Sequence, residues 1–578
     1  MGLAVGTALW HRLWTRVARE ALAVVGAALV VAVAMTWPAM RNPTATIPHD
    51  LVDSALMGWE LRWGAHALWS DPARLFDGNA FYPESGSYAF SDTLLGYWPL
   101  ALFGDGVAGA ALATNLTYVL IFALASVGGY ALARQLGAGP LGSTVAGLAI
   151  AYAPWRLAQI SHLHVISTGG IVLALAMLAR GHGFSIRYGL RPERGHLGWI
   201  IAGWLVAAWQ VTIGFGIGLV FVYVLAGICV VVAVLWWRRG RRPVRPAVWL
   251  ADLGGGSVFA VVSVLMAIPY LRVIDAHPYA RRGVAELGYY SPPLNGFLVP
   301  PGQTKLWHDD PLGLRETVPL PAEMSLLPGY TLLLLAGVGV FVSVWPRRWR
   351  IGLGVGVLVS MVLATGTRFL FGGRLTYLLL YHLPGWDGIR TPGRLVVWTT
   401  VLLALLAAGA VTALGLRLAG IARTVAGRRL DLGRLVGALA AALVLVEGLS
   451  LVHHPPVPAA PAALTAEHTD TVRPPVLVLP SDPTIDPLIM MWSTETFPPM
   501  VNGLSGFIPA SLAEIRTGTH AFPDAASVAL LRRFGVSTVV VLRDRVPGTP
   551  WASAPDAPVT GLGITRTEID NAVVFSLG

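Results

Sequence analysis

The sequence predicts an all-α polytopic membrane protein of about eleven transmembrane helices, with a small external α/β domain at its C-terminal end. Three observations predict it. Of 578 residues, 55% are hydrophobic and only 12% charged, and mean hydropathy is +0.63; a soluble domain has about twice that charged share. Apolar stretches approaching the roughly 20 residues that cross hydrocarbon recur from residue 19 to residue 452. The polar segment after them carries only short, strand-like apolar runs.

Eleven stretches qualify, near residues 19–38, 107–133, 140–154, 165–180, 197–213, 215–237, 248–270, 329–345, 351–366, 394–416 and 434–452. The first follows Arg12, Arg16 and Arg19 and ends at TWPAM without a small-residue cleavage site, so it reads as an uncleaved signal anchor. Short cytoplasmic loops retain positive charge, which makes orientation a matter of counting. With the N-terminus inside, the inner segments hold 21 basic residues against three acidic ones, and the outer segments 20 basic against 26 acidic. Only Asp252 and Glu447 fall within or at the ends of spans. The expected arrangement is a cell-membrane protein with a cytoplasmic N-terminus, an odd number of spans and an outer C-terminal domain.

Residues 1–452 thus form the transmembrane domain, with outer loops at 39–106, 271–328 and 367–393. HHPPVPAAPAAL makes 453–470 a stiff linker into the external domain, 471–578. There PVLVLP and VSTVVVL read as buried strands, ASVALLRRFG as a helix stopped by glycine, and ITRTEI and AVVFSL as closing strands. The formal charge is +10, yet every basic residue except Lys305 is arginine, which fits a GC-rich coding composition; no nucleic-acid partner is expected. A single cysteine, Cys229, excludes an intrachain disulfide.

The first outer loop opens with IPHDLVDSALMGWELRWGAHALW. Val52, Leu56, Trp59, Trp63 and Ala67 recur at helical spacing while Glu60 and Arg62 fall elsewhere, the pattern of a helix lying in the membrane interface. Asp50 suits its N-cap and Asp53 the positive end of its dipole, but either carboxylate, just outside the first span, also suits a general base for an incoming hydroxyl. His162 and His164 in ISHLHVIS stand at the outer end of the fourth span, as interfacial rings or as hydrogen-bonding or charged partners of a phosphate. One H-x-H is a weak metal signal. Arg390 and Arg394 in GWDGIRTPGRLVVW lie four apart before the tenth span, where guanidinium groups either snorkel to headgroups or grip a lipid phosphate from outside. Arg281 and Arg282 are a weaker instance. Asp309 and Asp310 in WHDD are a thin candidate for a divalent cation, since adjacent loop acids are usually solvated; no metal or other cofactor is expected. Absence of a P-loop, HExxH, paired CxxC and GxSxG removes ATP-driven transport and zinc proteolysis by those motifs.

An anchor helix, a long acidic outer loop, many spans and an external C-terminal domain together resemble the GT-C superfamily of integral-membrane glycosyltransferases, in particular its protein mannosyltransferase and aminoarabinose transferase branch. PHDLVDSALMGWELRW, SHLHVIS, GIRTPGR and MVNGLSGFIPASL are similar to phrases of bacterial membrane-protein families assigned to that superfamily. The resemblance covers residues 19–452 in layout and, through VNGLSGF, part of the tail. It implies transfer of a sugar from a polyprenyl-phosphate donor to a glycan, lipid or protein acceptor of the cell envelope, on the outer face and among membrane lipids. It also implies an acidic base in the first outer loop, at Asp50 or, second, Asp53, and a further acid in the next outer loop, where this chain has His162 and His164. Chemistry points the same way. Cytoplasmic loops too short to hold a nucleotide sugar leave a donor that arrives in the membrane. Its displacement needs a base for the acceptor and cations beside the leaving phosphate, here Arg390, Arg394 or His164. The rival readings are a non-catalytic GT-C-like protein that binds lipid or assembles envelope complexes, and a lipid or polymer transporter, for which mid-membrane acids are expected.

Overall fold

The computed structural model describes residues 2–238, 240, 244–419, 422–425 and 428–578, so Arg239, Arg241 and Arg242 of one basic run lie outside the described residues. In hydrocarbon each backbone amide must find its partner within its own segment, and apolar runs therefore become helices. In chain order the helices before the tail are α1 (Gly2–Met35), α2 (Asp53–Ser70), α3 (Gly106–Leu136), α4 (Pro140–Tyr152), α5 (Leu163–Ile166), α6 (Gly169–Gly181), α7 (Leu197–Ile213), α8 (Phe215–Arg238), α9 (Pro246–Ala276), α10 (Val284–Tyr289), α11 (Pro321–Met324), α12 (Tyr330–Phe341), α13 (Arg347–Ala364), α14 (Tyr377–Tyr381), α15 (Val396–Leu418) and α16 (Leu432–Glu447). Each of the eleven apolar stretches is represented by one of them. Among the described residues six segments are long and apolar enough to cross a membrane: Ala18–Met35, Gly106–Leu136, Leu163–Gly181, Phe215–Arg238, Pro246–Ala276 and Pro392–Leu418. Leu197–Ile213 and Tyr330–Phe341 are shorter apolar helices. Two hairpins, β1 (Phe184–Ser185) with β2 (Gly189–Leu190) and β3 (Ala422–Val425) with β4 (Arg428–Asp431), close interhelical turns. The chain is a multi-pass membrane protein.

α3 packs against α1, α4 and α6, and α15 against α4, α12, α13 and α16. Small residues permit this, because helices in lipid gain most from close van der Waals approach. A Cβ added to Gly147 of α4 would stand 2.5 Å from the Ser126 carbonyl oxygen of α3. Two of the acids in the bundle have close partners. Asp252 hydrogen-bonds His182 at 2.9 Å and Trp204 at 3.0 Å, and Glu20 accepts from Arg134 at 2.8 Å and Tyr130 at 2.6 Å.

The helix expected in the membrane interface, α2, is enclosed instead. Residues 54–65 are buried, leaving Asp53 half-buried at its start and the last turn reaching solvent. It finds partners all round: α3, the 3₁₀ segment Leu95–Leu102, and a helix of the tail. Trp59 stacks on Trp63 and meets Tyr88 edge-on, Trp63 meets Phe497 of the tail, and the Arg62 guanidinium donates to the Gly104 carbonyl at 2.6 Å and to Asp105 at 3.1 Å.

The tail holds one sheet of order β5-β6-β8-β7, built from β5 (Val476–Leu479), β6 (Thr538–Leu542), β7 (Thr565–Ile569) and β8 (Ala572–Ser576), with β5 parallel to β6 and the other pairs antiparallel. α17 (Asp486–Trp492), α18 (Ala510–Gly518) and α19 (Ala525–Arg533) accompany it. α19 begins with an Asp524–Ser527 capping box and stops at Gly535, whose φ of +76° favours glycine. The tail is stitched to the 39–106 loop. Tyr82 N–H donates to the Met500 carbonyl (2.8 Å) and Met500 N–H to that of Asn79 (2.7 Å). The Asn79 side chain accepts from Trp59 of α2 (2.8 Å) and donates to Ser493 (3.0 Å).

Asn502, in the VNGLSGF phrase, is fully buried. Its Oδ1 accepts from Val478 N–H at 2.7 Å, and its Nδ2 donates to the Val478 carbonyl and to Asp486, both at 2.8 Å. Asn502→Leu strands a backbone pair and a buried carboxylate, so we expect a loss of about 3 kcal/mol, read as a lower unfolding midpoint of the tail.

Candidate functional site

The site is assembled by four segments that are distant in sequence. The first is the turn before α2. The Pro/Ala stretch pairs with it, through Ile47 N–H to the Pro455 carbonyl (3.3 Å), His49 N–H to that of His453 (2.7 Å) and Val457 N–H to that of Ala45 (2.9 Å). The linker therefore also pins the loop that carries the two aspartates. The His49 ring pairs with Asp50. Asp50 Oδ1 accepts from Val52 N–H at 2.8 Å and Ser54 N–H at 3.4 Å. Asp50 is not the N-cap, which is Val52, but it does engage amides at the start of α2. Burial opposes the charge on Asp50, yet the His49 pairing and these amides outweigh it and hold its pKa below the usual carboxylate range.

Asp53 opens α2 and is half-buried, with Oδ2 3.7 Å from His162 Nε2. Burial first, then the neighbouring Asp50 charge, pushes its pKa up to about 6, against the opposing influence of His49 and Arg390. His162 directly precedes α5. Burial, helped by Arg394 and His164, lowers its pKa to about 3, so the ring is neutral near pH 7 and can hydrogen-bond a ligand but not supply charge. His164 turns away, its ring edge-on to that of His162 and its Nε2 3.5 Å from Asp92, which also accepts from Gly216 N–H at 3.1 Å.

The third segment is α11, which presents Glu323. Its carboxylate accepts from Gln159 Nε2 at 3.1 Å and lies 3.6 Å from Arg394 Nη2. The fourth is the turn into α15, where the Arg390 guanidinium lies over the Tyr290 ring at 4.7 Å, a cation–π contact. Asp53, His162, Arg390 and Arg394 are thus brought together around Glu323, while Asp50 and His164 occupy the edges.

Glu323, Gln159 and Asp92 are additions that sequence reasoning missed. The signal for Glu323 was an acid in the apolar phrase LPAEMSLLPG, and for Asp92 an acid in AFSDTLLG. Two further candidates make local contacts. Arg282 joins Glu286 (3.0 Å) and the Gly506 carbonyl of the tail (2.7 Å). Asp310 closes its own loop by accepting from Leu314 and Arg315 amides at 3.0 and 2.8 Å. Among the described residues no group of three or more His, Cys, Asp or Glu side chains is placed to hold a metal ion.

No family model matches the chain, and no curated protein matches it. Solved structures do. The arabinofuranosyltransferase AftD from mycobacteria matches 97% of this chain and 41% of its own at a TM-score of 0.52 and 16% identity, so the chain spans about two fifths of AftD. The oligosaccharyltransferase AglB from Archaeoglobus fulgidus, solved with an inhibitory peptide and a dolichol-phosphate, matches at a TM-score of 0.43 and 13% identity, over 96% of this chain and 74% of that one. ArnT from Cupriavidus metallidurans, bound to undecaprenyl phosphate, matches at 0.36 and 16%, over 96% and 98%. The AftD match shows the fold: the chain has the GT-C fold that the sequence predicts.

Proposed function

We propose that the protein is a membrane glycosyltransferase that moves a sugar from a polyprenyl-phosphate donor to a hydroxyl of a cell-envelope acceptor on the outer face. The observation that carries this reading is the half-buried Asp53 carboxylate gathered with a neutral imidazole and an arginine pair in a GT-C fold. The acceptor oxygen attacks the anomeric carbon, the bond from that carbon to the phosphate oxygen breaks, and Asp53 takes the hydroxyl proton. Arg390 and Arg394 receive the charge left on the polyprenyl phosphate. Asp53 suits the base better than Asp50, whose carboxylate is committed to His49 and two backbone amides.

The reading is tested by reconstituting the protein in nanodiscs with undecaprenyl phosphate and its glycosylated forms. Failure of the bare lipid to bind would overturn it, and binding without turnover for every donor and acceptor supplied favours the non-catalytic reading. A base with a pKa of about 6 is ionised at neutral pH yet still accepts a proton. Because it works only deprotonated, kcat/KM should fall about tenfold per pH unit below about 6 and level off above. A profile still flat at pH 5 would remove Asp53 from this role.

Orientation is testable by labelling. Ser527 is a poor probe because it is buried in the α19 capping box, whereas Ser553 is exposed. Ser553→Cys should react with an impermeant reagent in intact cells, and Gly240→Cys only after lysis; the reverse pattern contradicts the outer-face assignment.

A further inference from the structure

The 367–393 loop reads in the sequence as a segment outside the spans, but its first part has an apolar surface. Phe371, Leu375 and Leu379 are 76%, 62% and 61% exposed, and Leu370 and Leu383 of the same stretch are exposed too. Water tolerates such side chains singly, whereas a run of them marks a surface that something apolar covers. Leu370 and Phe371 hold left-handed backbone, at φ of +43° and +55°, which bulky residues rarely adopt, so the chain accepts strain where it turns these two outward.

Three observations point to lipid as the cover. The underside of the stretch is fixed to a membrane span: the buried Tyr377 ring of α14 meets Trp386 edge-on at 5.8 Å, Trp386 meets Tyr223 of α8 at the same distance, and the Tyr223 hydroxyl donates to the Pro384 carbonyl at 2.9 Å. Tyr223 lies well inside α8, which begins at Phe215, roughly 12 Å along the axis at 1.5 Å per residue, so the stretch runs beside the end of that span and not beyond it. Next, α13 just before it turns Ile351, Val355, Leu358 and Val359 outward at helical spacing, as a lipid-facing helix does. Finally, residues 367–385 carry Arg368 and Arg374, both exposed, and no acid. An apolar face flanked by bases alone complements the phosphates of an anionic leaflet.

We propose that residues 368–383 lie in the bilayer interface, with Phe371 and the exposed leucines among the upper acyl chains and Arg368 and Arg374 on the headgroups of anionic phospholipids. The stretch leads within a few residues to Arg390, so its insertion holds that turn at the depth of the lipid phosphates. The inference needs only a multi-pass chain and stands apart from the transferase reading.

The experiment places an environment-sensitive dye at Leu379→Cys in the full chain, with the native thiol removed by Cys229→Ala, in nanodiscs of equal parts phosphatidylcholine and phosphatidylglycerol. Lipids with a nitroxide high on the acyl chain should lower the emission about twofold or more, and aqueous iodide should do little. Leu375→Cys, four residues earlier and also exposed, should report the same, while a dye at Ser553→Cys, exposed in the tail, should be quenched by iodide only. Adding Arg368→Gln and Arg374→Gln should raise iodide quenching at Leu379→Cys about twofold or more in the mixed lipid and leave it unchanged in phosphatidylcholine alone. Quenching at both loop positions by iodide and not by nitroxide would make the stretch an aqueous loop and overturn the proposal. A dye that neither quencher reaches would mean that a second copy of the chain covers the face, which overturns it equally. A double arginine variant that behaves as its parent in the mixed lipid would overturn the assignment to anionic headgroups.

Discussion

Asp53→Asn is expected to slow sugar transfer by about 10² to 10⁴ while the purified protein melts no lower than wild type. The two halves of that result arise from the same environment. Asn matches Asp in shape but cannot accept the acceptor's proton. Asp53 holds no cap that the substitution would break, since the amides at the start of α2 go to Asp50 and the near polar neighbour of Asp53 is His162 at 3.7 Å. Its carboxyl pKa lies near 3.8 in the unfolded chain and about 6 in the fold. The folded state therefore favours the protonated form, and stability is lost as pH rises through that window. At neutral pH the charge is a burden on the fold, and Asn removes it, so the unfolding midpoint should hold or rise. Asp50→Asn should behave differently. Its amide oxygen can still accept from Val52 and Ser54, only the His49 pairing weakens, and we expect a rate within about tenfold of wild type. A wild-type rate in Asp53→Asn would remove it as the base. A fall in melting temperature that tracks the loss of rate would make it structural.

How much of this was readable beforehand depended on whether the signal was local. The strands β5, β6, β7 and β8 and the helix α19 were each legible because their period and their stops, such as Gly535, lie within a few residues. The eleven apolar stretches were legible for the same reason. The enclosure of α2 was not, because it depends on Asn79 linking Trp59 to Ser493 of the tail, a contact that no helical pattern encodes. Nor could spacing rank the two aspartates. The resemblance put Asp50 first; in the fold its carboxylate lies on His49 and the α2 amides, and Asp53 faces His162. Glu323 escaped notice since one acid among several in a long loop is unremarked until α11 sets it against Gln159 and Arg394.

Replacing both Arg390 and Arg394 by Gln should weaken undecaprenyl-phosphate binding by about 10² or more and flatten its dependence on salt. Each guanidinium offers forked donors to a phosphate, and charge-assisted bonds are roughly twice as strong as neutral ones. Gln keeps a polar head on a shorter stem but no charge, so ionic strength has less to screen. The single variants separate the two roles. Arg390 is positioned by the Tyr290 ring, and its loss removes a donor without stranding a partner. Arg394 stands 3.6 Å from Glu323 with its Nε unpaired, so Arg394→Gln removes a donor and also leaves the buried carboxylate without its nearest cation. That variant should therefore lose more affinity than Arg390→Gln, and the pKa of Glu323 should rise. Unchanged lipid affinity in the folded double variant would return both arginines to headgroup snorkelling. Equal losses in the two single variants would mean that the Glu323 pairing does not shape how Arg394 meets the phosphate.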